Sequence, residues 1–136
     1  MARGLNNNNP LNIRHSSDVF VGEVPGSDKA FKRFKDMAYG YRAAFVTLHT
    51  YLSKYRRDTI EKIIRAWAPP EDNNDTQAYI ASVVKQSGIP ANKVLTDKSG
   101  DDYIRIVAAM SKVENGVPAI ISQVEDGFKL QGKITK

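Results

Sequence analysis

The sequence predicts a mainly α domain, α+β in the broad sense, with a small β-hairpin near its start. Three observations predict it. From residue 36 onward, apolar residues recur at spacings of three and four, the period of a helix with one buried face. The periodic stretches are cut by helix stops at Pro69-Pro70, Gly88 and Gly116. Before residue 36, two β-prone segments flank Pro25-Gly26-Ser27-Asp28, a good turn sequence. With 136 residues, 41% hydrophobic and 26% charged, the chain suits one domain over 1–136 with one core, and wholesale disorder is not expected. Residues 1–5 and 132–136 are expected to be loose ends.

The elements follow in order. Residues 3–18 are turn-rich, with Asn6 to Asn9, Pro10, Asn12, Ser16, Ser17 and Asp18. Segments 19–24 and 30–34 are the expected hairpin arms. Asp36 can cap a long helix carrying Tyr41, Phe45, Leu48, Leu52 and Tyr55 on one face. A second helix starts after Asp58, whose spacing to Glu61 fits a capping box, and carries Ile60, Ile63, Ile64 and Trp67. A polar loop, 71–75, precedes a third helix over 76–87 that presents Tyr79, Ile80, Val83 and Val84. Residues 89–100 connect to a fourth helix over 101–115, with two acids in its first turn. Pro118 suits the first turn of a short fifth helix with Ile121 and Val124, which Gly127 is expected to end.

Composition excludes several classes of chemistry. There is no cysteine, which removes disulfides, thiol catalysis and Cys-based metal sites. His15 and His49 are the only histidines and stand far apart, so no metal site and no cofactor is expected; neither a P-loop nor a dinucleotide fingerprint occurs. The net charge of +5 fits a polyanionic partner, such as an anionic envelope polymer, as well as a merely soluble basic surface. The cations are scattered and the helix at 76–87 carries only Lys85, which argues against nucleic acid. No apolar run is long enough to insert into a membrane, and a monomer is expected. Met1-Ala2-Arg3-Gly4-Leu5 leads into asparagines without an apolar signal core, so synthesis in the cytoplasm without a Sec-type signal is expected.

One residue breaks the pattern of its helix. On a wheel of about 100° per residue, Tyr103, Ile106, Val107, Met110 and Val113 share an apolar arc, opposite Asp101, Arg105 and Lys112. Glu114 falls inside the apolar arc. Either the last turn frays and Glu114 swings into water, or its carboxyl is held against an apolar wall. In the second case desolvation raises its pKa, as a general acid working near neutral pH requires.

The segment Ala108-Ala109-Met110-Ser111-Lys112-Val113-Glu114-Asn115-Gly116 resembles the helix end that bears the catalytic glutamate in goose-type lysozymes and lytic transglycosylases. Phe34-Lys35-Asp36-Met37-Ala38-Tyr39-Gly40-Tyr41-Arg42-Ala43-Ala44 is similar to a later part of that fold. So are Ile63-Ile64-Arg65-Ala66-Trp67-Ala68-Pro69-Pro70 and Thr76-Gln77-Ala78-Tyr79-Ile80. The opening, Arg3 to Arg14, resembles the start of phage and prophage virion-associated peptidoglycan hydrolases. The resemblance covers residues 3–127, with the glutamate helix last in the chain rather than early, as in a circular permutation.

The resemblance implies a lysozyme-like helical domain that cuts the bond between N-acetylmuramic acid and N-acetylglucosamine in peptidoglycan glycan strands, at the cell wall and in a virion-associated setting. Glu114 is the implied acid. Glu23, in the hairpin, is the candidate second carboxylate that would favour hydrolysis; without one, Glu114 can also serve as the base in 1,6-anhydro ring closure. Asn8, Asn9 and Asn12 are candidate amide donors to sugar, and Tyr39, Tyr41 and Trp67 candidate aromatic faces. Trp67 shares its period with a core stripe. A non-catalytic phage or secretion-system component, or a peptidoglycan endopeptidase on the same scaffold, remains the competing expectation.

Overall fold

The computed structural model describes residues 2–136. Met1, the first of the residues expected to be loose, lies outside them. The elements run α1 (Arg3–Asn6), β1 (Glu23–Val24), β2 (Arg33–Phe34), α2 (Met37–Tyr55), α3 (Ile60–Trp67), α4 (Thr76–Ser87), α5 (Gly100–Asn115) and α6 (Ile121–Leu130). A single 3-10 turn, Pro70–Asp72, joins α3 to the loop before α4. This is the mainly α arrangement with a small antiparallel hairpin that the sequence predicts. No helix among the described residues is long and apolar enough to cross a membrane.

Local chemistry sets most boundaries. The Asp36 carboxylate accepts from the Tyr39 N–H and caps α2. Asp75 caps α4 by accepting from the Ala78 N–H, and Gly88 and Gly116 end α4 and α5 in the left-handed conformation. At α3 the cap is Thr59, not Asp58. The Asp58 carbonyl is taken by the Leu95 N–H at 2.7 Å, and Thr59 Oγ1 accepts from the Lys62 N–H. Asp58 and Glu61 instead pair with Lys62 and Arg65 one turn along.

The hairpin is shorter than expected, with Glu23 opposite Phe34 and Val24 opposite Arg33. The Lys32 ammonium explains why. It is 1% exposed and donates to both Glu23 oxygens and to the Asp18 and Ser16 carbonyls, which wraps residues 16–21 around the lysine. The paired Glu23 compensates that buried charge.

Helix α2 is the axis of the core. Its Tyr41, Phe45 and Leu48 meet Ile63 and Ile64 of α3, Val83 of α4, Val107 and Met110 of α5 and Val124 of α6, all essentially free of solvent. The most extensive helix pairing is α2 with α6, and Gly127 makes it possible. A Cβ there would lie 2.5 Å from Tyr41 Cβ and 2.8 Å from the Ala38 carbonyl oxygen, so glycine serves close helix approach rather than ending the helix. α6 also starts later than Pro118 suggests, at Ile121, since proline fits the extended backbone of 118–120 equally well.

Both chain ends are held. Residues 3–6, expected to be turn, form α1, and Gly4 is buried. The tail from Gly132 returns to the body: Thr135 donates to the Asp97 carbonyl at 2.7 Å and accepts from the Gly100 N–H at 2.9 Å, with Ile134 buried beneath.

Candidate active site

Glu114 lies in the last turn of α5, and that turn does not fray. Asn115 donates to the Ser111 carbonyl at 2.9 Å and to the Pro10 carbonyl at 2.8 Å, docking the N-terminal segment on the helix end. Ser111 in turn shares a hydrogen bond with the buried Tyr41 hydroxyl. Asn12, held at φ 54, then aims its amide at the acid and donates to Glu114 Oε1 at 2.8 Å. The Tyr79 hydroxyl donates to Oε2 at 2.9 Å, with the Met110 carbonyl as a longer alternative at 3.5 Å.

The balance of forces on the carboxyl favours its proton. Burial raises the Glu114 pKa above the ordinary glutamate value, against the lowering pull of the Asn12 and Tyr79 donors and of the Arg14 charge. Burial, with Glu114 as its neighbour, pushes the Tyr79 phenol well above 10, so it stays a donor.

Glycine is required at position 4 for the same geometry. A Cβ there would sit 2.7 Å from Asn12 Oδ1 and 2.8 Å from Asn115 Oδ1. Both oxygens are buried without a hydrogen-bond partner, facing the hydrogen that glycine carries instead of a side chain.

Two recesses meet at the acid. One, of about 190 Å³, brings Asn12, Arg14, Trp67, Asp72 and Asn74 around Glu114. The other, of about 370 Å³, runs between the 73–75 loop, α4 and Val113, and shares Asn74 and Glu114 with the first. A half-buried carboxyl with a raised pKa at such a junction can protonate a leaving oxygen in a chain that passes through both recesses.

Protein P5 of Pseudoalteromonas phage PM2 is 42% identical to this chain over 133 residues, taking in 94% of this chain and 81% of that protein. The chain belongs to the Protein P5 family. No known protein-family profile matches it.

Of the residues read from sequence, Asn12 and Trp67 come together with Glu114 in this P5-family chain. Trp67 packs edge-on against Tyr51 at 6.1 Å and lines the recess. The other candidates lie elsewhere. Glu23 is tied to Lys32 and to the Phe20 N–H and does not line the recess, so the structure does not bring it together with Glu114. Asp72 is the other carboxylate there, while the neighbouring Asp75 is occupied as a cap. Asn8 donates to the Phe34 carbonyl, and Asn9, fully buried, bonds both ways with Ile13 and donates to the Lys32 carbonyl. Those two amides hold backbone, not sugar. Tyr39 packs over Gly22 beneath the Lys35 ammonium, and Tyr41 is a core residue with its hydroxyl on Ser111.

Tyr79, Arg14, Asp72 and Asn74 were not singled out as site residues from sequence. Tyr79 alone carried a signal: a buried tyrosine in an apolar stripe needs a partner for its hydroxyl. His15 Nε2 donates to the Asp28 carbonyl, and no cluster of three metal-ligating side chains occurs among the described residues.

Proposed function

We propose that this P5-family protein cleaves peptidoglycan glycan strands, with Glu114 as the general acid. The observation that carries the reading is a single carboxyl, desolvated and fixed by Asn12 and Tyr79, where two recesses meet. The docking of Pro10 and Asn12 on the end of α5 supports a permuted lysozyme-like arrangement, since it brings the segment opening the chain against the end of the glutamate helix.

In the proposed reaction Glu114 gives its proton to the glycosidic oxygen between the muramic and glucosamine units, and the bond to the muramoyl C1 breaks. The resulting carboxylate then takes a proton from the muramoyl 6-hydroxyl as the 1,6-anhydro ring closes, or Asp72 activates a water that adds at C1. The positive net charge supports a role for anionic envelope polymers as a further partner.

The test is digestion of purified peptidoglycan by wild type and Glu114→Gln, with the muropeptides read by mass spectrometry. Loss of a general acid lowers the rate by about 10²- to 10⁴-fold. Anhydro ends identify a transglycosylase, reducing ends a muramidase. Cleaved stem peptides, or a Glu114→Gln variant as active as wild type, overturn the reading.

A further inference from the structure

Helix α2 ends differently from α4 and α5. Those two stop at Gly88 and Gly116, whereas α2 stops at Arg56 with φ 54, a conformation that disfavours arginine and suits glycine. The Arg56 and Arg57 N–H groups both donate to the Tyr51 carbonyl, which turns the chain back onto the helix. At such an end the residue after the left-handed one commonly packs an apolar side chain on the last turn. Here it is Arg57, whose guanidinium carbon lies 4.6 Å from the Tyr51 ring centroid and 4.5 Å from that of Tyr55. The Lys54 ammonium also lies against Tyr55, at 5.5 Å.

Helix stability does not account for these residues. Glycine at 56 and an apolar side chain at 57 would close the turn with less strain, and one cation in the last turn, as in α4 and α5, already meets the helix dipole. Lys54, Arg56 and Arg57 make no ion pair among the described residues, and the adjacent Asp58 carboxylate is 3.1 Å from Lys62 instead. Two tyrosine rings therefore hold a guanidinium in place with its charge unanswered, which lowers the ordering cost to a ligand. Tyr51 and Lys54 also line a recess of about 640 Å³ between α2 and the 16–21 loop. It contains a further unpaired cation, Arg42, and a single carboxylate, the exposed Asp18. On its other side Tyr51 meets Trp67, at the wall of the Glu114 recess.

We propose that Lys54, Arg56 and Arg57 bind the phosphate groups of an anionic envelope glycan, with the adjoining recess taking a neighbouring sugar unit. Guanidinium forks match phosphate oxygens in pairs. The tyrosine rings are occupied by cations rather than left open, which favours a phosphorylated glycan over single-stranded nucleic acid, whose bases need stacking faces. The envelope as the source of the glycan rests on the glycan-cleaving reading, whereas the phosphate chemistry stands apart from the Glu114 carboxyl.

The experiment uses phosphomannan, and the same mannan stripped of its phosphate, as probes that differ in that group. Binding of each to wild type, Arg56→Gly and Arg57→Leu is measured by calorimetry, with a thermal melt of every protein. Charge-assisted bonds at a partly solvated site give an expected preference of about tenfold for phosphomannan. Each variant is expected to lose most of that preference, and Arg56→Gly to melt at or above wild type. Equal affinity for the two polymers, or a preference unchanged in both variants, overturns the inference. So does a single-stranded DNA of equal phosphate content that binds more tightly than phosphomannan. A lower Tm for Arg56→Gly assigns the arginine to folding and also overturns it. Absence of the preference in a protein that cleaves peptidoglycan leaves the cleavage reading standing. Phosphate binding by a protein that cleaves nothing overturns that reading and leaves the phosphate site.

Discussion

Replacing Glu114 by glutamine removes a group whose charged form is partly shut off from water, and the fold can absorb the change. The glutamine oxygen accepts from Asn12 as Oε1 does now. Its amide donates to the Tyr79 hydroxyl, which turns its own proton to the Met110 carbonyl, 3.5 Å away. No buried donor or acceptor is stranded. The sign of the pH effect follows from the raised pKa of Glu114 in the fold. The native state holds this proton more tightly than the unfolded chain, so wild-type stability falls as pH rises from the ordinary glutamate range through the folded pKa. Glutamine has no such proton. Its advantage is therefore smallest in acid and full above the folded pKa.

A stabilising single substitution is commonly worth about 0.5–2 kcal/mol. For 136 residues the unfolding entropy near the melting temperature is about 0.3 kcal/mol/K, so about 1 kcal/mol moves Tm by about 3–4 °C. Calorimetric melts of both proteins from pH 4 to pH 8 measure this directly. The expected result is a higher Tm for the variant at pH 7–8 and convergence toward pH 4. A variant that melts below wild type at pH 7, or by a margin independent of pH, would refute the claim that Glu114 is desolvated.

Two further outcomes are expected. Tyr79→Phe removes one of the two donors that pull the Glu114 pKa down, so the basic limb of the rate profile on peptidoglycan moves to higher pH. Tm should change by less than about 1 kcal/mol equivalent, because the Phe ring fills the same buried space. Gly4→Ala puts a methyl against three oxygens at 2.7 to 2.8 Å, two of them on Asn12 and Asn115. A loss of about 1–3 kcal/mol in urea unfolding is expected, together with lower binding to glycan strands.

The helices and their ends were legible because their causes are local. Asp36, Gly88 and Gly116 act within one turn of themselves, and the wheel that singled out Glu114 needs only the residues of α5. Cap choice at α3 was not, since it turns on the distant Leu95 amide at the Asp58 carbonyl. The same limit applies to the site. Asn12 lies 102 residues before its partner Glu114, and Tyr79 lies 35 before it. Nothing in the run of asparagines distinguishes Asn9, spent on backbone, from Asn12, aimed at the acid. Glu23 looked available because its partner, Lys32, is hidden only once the loop folds around it. Gly127 and Gly4 likewise reveal their roles through what presses on them, not through their neighbours in sequence.

The bond from Asn115 to the Pro10 carbonyl joins positions 105 apart and sets an order of events. Helices α2 to α4 can form on a growing chain before the acid is made, but the recess waits for α5 to reach the N-terminal arm. A nascent chain therefore has no Glu114 recess until its last long helix has emerged. The same dependence makes the arm a fuse. A cut in the exposed 15–19 stretch would leave residues up to Arg14 held by non-covalent contacts alone, among them the bonds from Asn12 to Glu114 and from Asn115 to Pro10 that set the recess.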